Sequence, residues 1–60
     1  MKLIKIDKVM DLTSIGRTKI YELIKGGEFP KQIDIGSRSS VWSETQVLDW
    51  IRVKVEQNQS

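Results

Sequence analysis

Apolar residues recur at helical spacing in three segments of this chain, and they alternate with polar residues in a fourth. The first helical pattern covers residues 7–13. Asp7 is its expected N-cap, because a short side-chain oxygen can accept from the free amides of a first helical turn. Thr13 and Ser14 predict a break after it, since their hydroxyls compete for local backbone groups.

The second helical pattern begins near Arg17, directly after Gly16, which we expect to permit a sharp turn. Its apolar residues fall within one arc of about 100° and are Ile20, Leu23 and Ile24. Gly26 and Gly27 should end the helix, because glycine adopts the left-handed C-terminal conformation without a steric penalty.

Polar and apolar residues alternate over residues 31–35. This pattern places Ile33 and Ile35 on one face and predicts a half-buried strand. Residues 36–39 predict a hairpin loop, and residues 40–42 a returning strand. A two-stranded hairpin is marginal alone, so we expect it to pack against the helices.

The third helix has the clearest start, because Ser43 and Gln46 match a capping box. Its predicted core stripe is Val47, Leu48, Trp50, Ile51 and Val55. We expect the helix to end at Val55 or Glu56 and residues 57–60 to fray. The order helix, helix, hairpin, helix predicts one small α+β domain over residues 1–56. Trp42 and Trp50 occupy apolar periodic positions and are predicted to be core residues.

Composition narrows the functions that this pattern can serve. The 60 residues include neither cysteine nor histidine, which excludes disulfides and the usual zinc ligands. Carboxylates are scattered, so we expect no catalytic residues, no metal, no cofactor and no small-molecule substrate. No apolar run approaches the ~18 to 20 residues that span a membrane, and residues 1–6 are too short for a signal sequence. We therefore expect a soluble, cytoplasmic protein.

The net charge of +2 is modest, but it is unevenly distributed. Residues 1–42 hold eight Lys or Arg against five Asp or Glu, whereas residues 43–60 hold two against three. The basic excess therefore lies outside the third helix. A small excess is weak support for nucleic-acid binding by itself, so the placement of the cations decides its meaning.

Motifs over nearly the whole chain resemble a known family. They are Gly-Arg-Thr-Lys-Ile-Tyr-Glu-Leu-Ile-Lys-Gly-Gly-Glu-Phe-Pro-Lys at residues 16–31, Gly36 and Arg38, Trp-Ser-Glu at residues 42–44, Val47 and Trp50. Together they resemble the AlpA family of small phage and prophage regulators, part of the winged-helix group that includes MerR-like regulators and phage excisionases. The resemblance implies a winged helix-turn-helix fold and either a DNA-binding regulator or a recombination directionality factor. Many relatives carry serine where this chain has Gly16, so the usual hydroxyl cap of the second helix is missing.

A helix-turn-helix presents the start of its second helix to the major groove, and that start is cationic and hydroxyl-rich here. Arg17 can fork onto guanine O6 and N7, and Thr18 can offer a hydroxyl and a methyl group, so both are predicted base contacts. Lys19, Tyr21 and Lys25 are predicted phosphate contacts.

The hairpin loop supplies a second candidate contact, which we predict to be the wing. Its polar residues are Ser37, Arg38, Ser39 and Ser40. Arg38 can enter a minor groove or grip the adjacent backbone. Each candidate also has an ordinary interpretation: the cations as a solvated helix face, Tyr21 as partial core, and Arg38 as a mobile surface residue.

We predict a sequence-specific regulator that binds double-stranded DNA and controls a phage or mobile-element gene, such as an integrase or excisionase gene. An excisionase that bends its site is the alternative within DNA binding, and it needs the same surface. Either could act as a homodimer or as several copies on DNA. The alternative of another class is a protein-interaction module that binds an integrase, another protein or its own copy through the third helix, where Val53 and Val55 form a small apolar patch.

Overall fold

The computed structural model describes residues 2–36 and 39–59. In chain order its elements are β1 (Leu3–Ile4), α1 (Ile6–Thr13), α2 (Arg17–Lys25), β2 (Ile33–Gly36), β3 (Ser39–Ser43) and α3 (Glu44–Asn58). The strands form an antiparallel sheet in the order β1-β3-β2. The predicted small α+β winged helix-turn-helix is confirmed, with β1 as an unpredicted third strand. It pairs Leu3 with Ser43 and Ile4 with Trp42.

The start of α1 differs from the prediction. The helix begins at Ile6, and its N-cap is Lys5, which is extended and makes no side-chain cap bond. Asp7 therefore lies inside the first turn and is not the cap. Pairing with β3 ends at Ile4, and Lys5 is the last extended residue. The helix can therefore begin at Ile6, one residue closer to the N-terminus than predicted. The Asp7 carboxylate still complements the positive end of the helix dipole.

The turn between α1 and α2 is made by Ser14, not by Gly16 as predicted. Ser14 has a left-handed backbone, with φ of 59°, and its amide donates to the Met10 carbonyl at 2.8 Å. Gly16 is extended, with φ of −71°. A small polar residue tolerates the left-handed region better than a branched one, so serine can serve here. Thr13 supports the break, because its hydroxyl donates to the Val9 carbonyl at 2.8 Å and accepts from the Ile15 amide at 3.3 Å.

Trp42 lies at the centre of the core and is fully buried. The buried residues packed with it are Ile4, Val9, Ile20, Phe29 and Val47. Its indole N–H donates to the Pro30 carbonyl at 3.1 Å, and the Trp50 indole N–H donates to the Glu28 carbonyl at 2.7 Å. Both tryptophans therefore anchor the connection between α2 and β2. Trp42 fills the core as predicted, whereas Trp50 is half-buried and packs against the edge of the core.

The third helix is longer and less buried than predicted. Ser43 caps it, accepting from the Gln46 amide at 3.4 Å, but the helix continues to Asn58, beyond the expected end at Val55 or Glu56. Leu48 and Val55 are 45% and 49% exposed, so the predicted core stripe is too wide. The side of α3 that packs against the core carries Val47, Trp50 and Ile51.

The hairpin contains a bulge that the alternating pattern does not reveal. Asp34 pairs with Ser40 and Gly36 pairs with Ser39, so Ile35 is an extra residue between two ladder positions. A bulge re-aims the side chain of the inserted residue. Ile35 is consequently 59% exposed, and the prediction that it shares a half-buried face with Ile33 is wrong.

The remaining predicted wing residues, Ser37 and Arg38, lie outside the described residues. Within residues 2–36 and 39–59, none of the helices has the length and apolar character needed to cross a bilayer. The same part of the chain holds no group of acidic, histidine or cysteine side chains arranged for a metal ion.

Replacing Trp42 with alanine should lower the free energy of unfolding by about 3 to 5 kcal/mol, because it opens a large cavity and leaves the Pro30 carbonyl without its donor. Urea denaturation followed by circular dichroism measures this. Val53→Ala, at a residue that is 42% exposed, is the control and should change stability by no more than about 0.5 kcal/mol. Equal losses in the two variants would contradict the central position of Trp42.

Candidate nucleic-acid interface

The second helix of the helix-turn-helix offers an exposed, cationic first turn. Ile20 is fully buried, and Leu23 and Ile24 pack against the core, which fixes the inner face of α2 as predicted. Arg17, Thr18 and Lys19 are exposed. These side chains are therefore available at the end of the helix that a helix-turn-helix points toward bases.

The predicted contacts on α2 do not all lie on one side. Arg17, Tyr21 and Lys25 are spaced four residues apart and follow one another along the same side of the helix. Successive residues of an α-helix are rotated by about 100° around its axis, which places Thr18 beside this row. Lys19 lies on the opposite flank of the exposed face.

Glu22 falls between Thr18 and Lys19 around α2, and sequence analysis did not assign it to the site. It is exposed, and its carboxylate adds a negative charge to the outer face of the helix. Such a carboxylate opposes phosphate binding but can accept a hydrogen bond from the amino group of cytosine. Its position between Thr18 and Lys19 therefore makes the centre of the exposed face better suited to bases than to phosphates.

Tyr21 contacts a buried side chain and is also exposed to solvent. Its ring meets Trp42 edge-on, with the centroids 6.2 Å apart, while 39% of the residue is exposed. Packing on a buried indole fixes the ring, and its exposed side can carry the hydroxyl toward a ligand. The ring contact favours the alternative of partial core, although the residue is exposed, and the phosphate contact stays a prediction.

An open groove of about 560 Å³ runs between α2 and the hairpin. Its lining residues are Lys5, Ile6, Arg17, Tyr21, Ile35, Ser39, Ser40, Val41 and Trp42. The structure thus brings the predicted contacts Arg17, Tyr21, Ser39 and Ser40 to one concave surface, whereas Thr18, Lys19 and Lys25 are not among its lining residues. Ser39 is exposed there, whereas Ser40 already donates its hydroxyl to Asp34 at 3.1 Å.

Besides Trp42, four groove residues were not assigned to the site from the sequence, namely Lys5, Ile6, Ile35 and Val41. Lys5 follows directly on the β1 register of Leu3 with Ser43 and Ile4 with Trp42, which carries the chain toward Val41 and the groove. Ile35 is turned to this side by the bulge, whereas Ile33 lines a separate shallow groove with Trp50. The Gly36 that follows Ile35 was a signal for irregular pairing, because glycine within a strand often marks a bulge.

The α2 N-terminus adds backbone donors to this surface. The amide of Ile20 donates to the Gly16 carbonyl at 3.0 Å, which leaves the amides of the first turn outside the helical ladder. Gly16 provides no side-chain cap. An anion at this point gains both free amides and the positive end of the helix dipole.

Comparison with known proteins gives two similarities. Residues 2–55 match the family model described as Prophage CP4-57 regulatory protein (AlpA). The chain is also 33% identical over 54 residues to the Uncharacterized protein ORF88 of Enterobacteria phage P4, a match that covers 90% of this chain and 61% of that protein. The chain therefore spans less than two thirds of the length of this relative.

Gly16→Ser should stabilise the protein, because the site is extended and a Cβ atom built there meets nothing within 4 Å. The introduced hydroxyl would cap α2, so this variant should exceed Gly16→Ala by about 1 kcal/mol in free energy of unfolding. Thermal denaturation of the two variants beside the parent chain measures the difference. The alanine variant adds the same Cβ atom without the cap, so equal stability of both would rule out capping by the introduced hydroxyl.

Proposed function

This chain belongs to the AlpA family of prophage regulatory proteins, and we propose that it acts by binding double-stranded DNA with sequence specificity. In this proposal α2 enters the major groove, and the hairpin lies against the adjacent backbone or minor groove. The supporting observation is the groove between α2 and the hairpin, which joins Arg17 and Tyr21 to Ser39 on one concave surface. A helix in one DNA groove and a hairpin in the next require such a surface.

Base recognition is assigned to the first turn of α2. Arg17 presents planar donors for guanine O6 and N7, and Thr18 beside it suits a thymine methyl group. Both residues are exposed and stand on a helix whose inner face is fixed by buried Ile20. A rigid support of this kind holds side chains in the register that direct readout needs.

Phosphate binding is assigned to the edges of the same surface. Lys19 lies on one flank of the exposed face of α2, Lys25 lies at its C-terminal end, and Tyr21 lies between α2 and the hairpin. Ser39 extends the contact to β3. Ser40, with its hydroxyl engaged by Asp34, supports the shape of the hairpin and can act only as an acceptor. Ser37 and Arg38 are assigned to the wing on sequence grounds.

The proposed target is a control site for a mobile-element gene, such as an integrase or excisionase gene. A single module this small buries well under about 1,000 Å² on DNA, so we propose that two or more copies share a site. Footprinting on the DNA of the element that carries this gene separates the possibilities. One two-fold site supports a dimeric regulator, and an array of direct repeats supports an excisionase that bends DNA.

A second candidate function is protein binding through α3. A shallow groove of about 620 Å³ on that side is lined by Pro30, Lys31, Ile33, Gln46, Asp49, Trp50 and Val53. Its apolar residues, mixed with two charged ones and an amide, suit an integrase, another protein or a second copy. It can supplement DNA binding, and it becomes the main function only if DNA binding fails.

Binding to a mixed-sequence duplex, measured by fluorescence anisotropy over a salt series, should give a log-log slope of about −3 to −4. That slope corresponds to three or four neutralised phosphates. As a control, the added salt is replaced with an uncharged crowding agent at matched viscosity, so that the ionic strength stays constant. A flat response would reject DNA binding and favour the protein-interaction module.

Arg17→Ala should relax the preference between the specific site and a scrambled duplex, by about 10-fold for one lost bidentate base contact. Lys25→Ala is the matched control on the same side of α2 and should weaken both duplexes alike. Competition anisotropy with the two duplexes measures each preference. Equal loss on both duplexes in both variants would reject base readout by Arg17.

A further inference from the structure

We propose that the groove between α2 and the hairpin holds one sugar-phosphate unit of the DNA strand, with Lys5 binding the phosphate and Ile35 contacting the sugar. This inference rests on the proposed DNA binding and adds to it. It states where the DNA strand lies on the protein. It also gives roles to Lys5 and Ile35, which lie outside the recognition helix and the hairpin loop.

When a helix lies in the major groove and a hairpin lies at the neighbouring minor groove, the strand that separates the two grooves has to pass between them. The open groove occupies that place, with Arg17 and Tyr21 on one wall and Ser39 on the other. We therefore assign the groove itself to the strand backbone, while the base contact proposed for Arg17 lies beyond its wall.

Lys5 joins β1 to α1 and lines this groove, although both elements lie outside the recognition helix. Pairing of Ile4 with Trp42 fixes the backbone on one side of Lys5, and the carbonyl of Lys5 accepts from the amides of Lys8 and Val9 on the other. Because its backbone is already fixed, Lys5 loses only side-chain freedom when it binds a phosphate.

The groove also has an apolar part. Ile35 is 59% exposed in the middle of a hairpin, where a solvated position would normally carry a polar residue. The bulge turns it to the same side as the Tyr21 ring. Together the two side chains offer an apolar surface beside a cation, which matches a deoxyribose next to its phosphate.

Lys5→Gln tests the phosphate contact, and Lys8→Gln is its matched control. Lys8 carries the same charge and is exposed on α1, outside the lining of the groove. With anisotropy on one duplex, Lys5→Gln should reduce the magnitude of the log-log salt slope by about 0.9 and weaken binding roughly 5- to 10-fold at about 0.1 M salt. Lys8→Gln should leave the slope unchanged.

Ile35→Ser tests the sugar contact, with Leu48→Ser as the control at another exposed apolar residue, on α3. We expect Ile35→Ser to weaken binding roughly 3-fold with an unaltered salt slope, because it removes apolar contact and no charge. Thermal denaturation of both variants should show folding like that of the parent chain.

The outcomes separate this inference from the proposed function. If the parent chain binds DNA and Arg17→Ala relaxes its preference, but Lys5→Gln behaves like Lys8→Gln, the strand does not lie in the groove and the inference is overturned. The same holds if Ile35→Ser binds as tightly as the parent chain. If the parent chain does not bind duplex DNA at all, the proposed function fails first and this inference fails with it.

Discussion

Burial of Trp42 is the interaction on which the rest of the structure depends. Its side chain is fully buried in β3, its N–H binds the Pro30 carbonyl, and its ring meets Tyr21 of α2. One residue therefore links the hairpin, the connection and the second helix. In a short chain without cysteine or histidine, such shared packing is what sets the distance between α2 and the hairpin, and with it the width of the groove.

The same packing separates two kinds of surface. On α3, Arg52 pairs with Asp49 at 3.7 Å and with Glu56 at 3.1 Å, and the Lys54 ammonium lies 5.6 Å from the Trp50 ring centroid. Both α3 cations are thus engaged within the helix. Lys5 and Arg17, which line the groove, are exposed, and so is Lys19 on the other flank of α2. Part of the basic excess of the chain is thus placed where DNA binding is proposed.

Local patterns predicted most of the fold, because helix periods and caps depend on neighbouring residues. The start of α2 at Arg17, its buried Ile20 and the Ser43 cap were all predictable. The strand β1 was not, since two residues carry no period and acquire a strand only by pairing with β3. For the same reason the sequence did not identify Lys5 as a groove residue.

Other differences arise where tertiary geometry overrides a period. The bulge turns the side chain of Ile35 away from the face that the alternating pattern predicts. Leu48 is exposed because α3 packs against the core along only one side, although both residues match apolar positions in the sequence. Ser14 adopts the left-handed turn that glycine was expected to provide. For the candidate site, the residues on α2 were predictable from the helix-turn-helix pattern. The groove that joins them to the hairpin was not, because it depends on how three distant segments pack.

The most direct test of the DNA-binding surface is the change in backbone amide chemical shifts when duplex DNA is added to ¹⁵N-labelled protein at low salt. We expect the largest changes over residues 17–25 of α2, at Lys5 and at Ser39. Residues 52–58 of α3 should change little. Changes concentrated along α3 and around Val53, with α2 unaffected, would contradict the assignment of α2 and the groove to DNA.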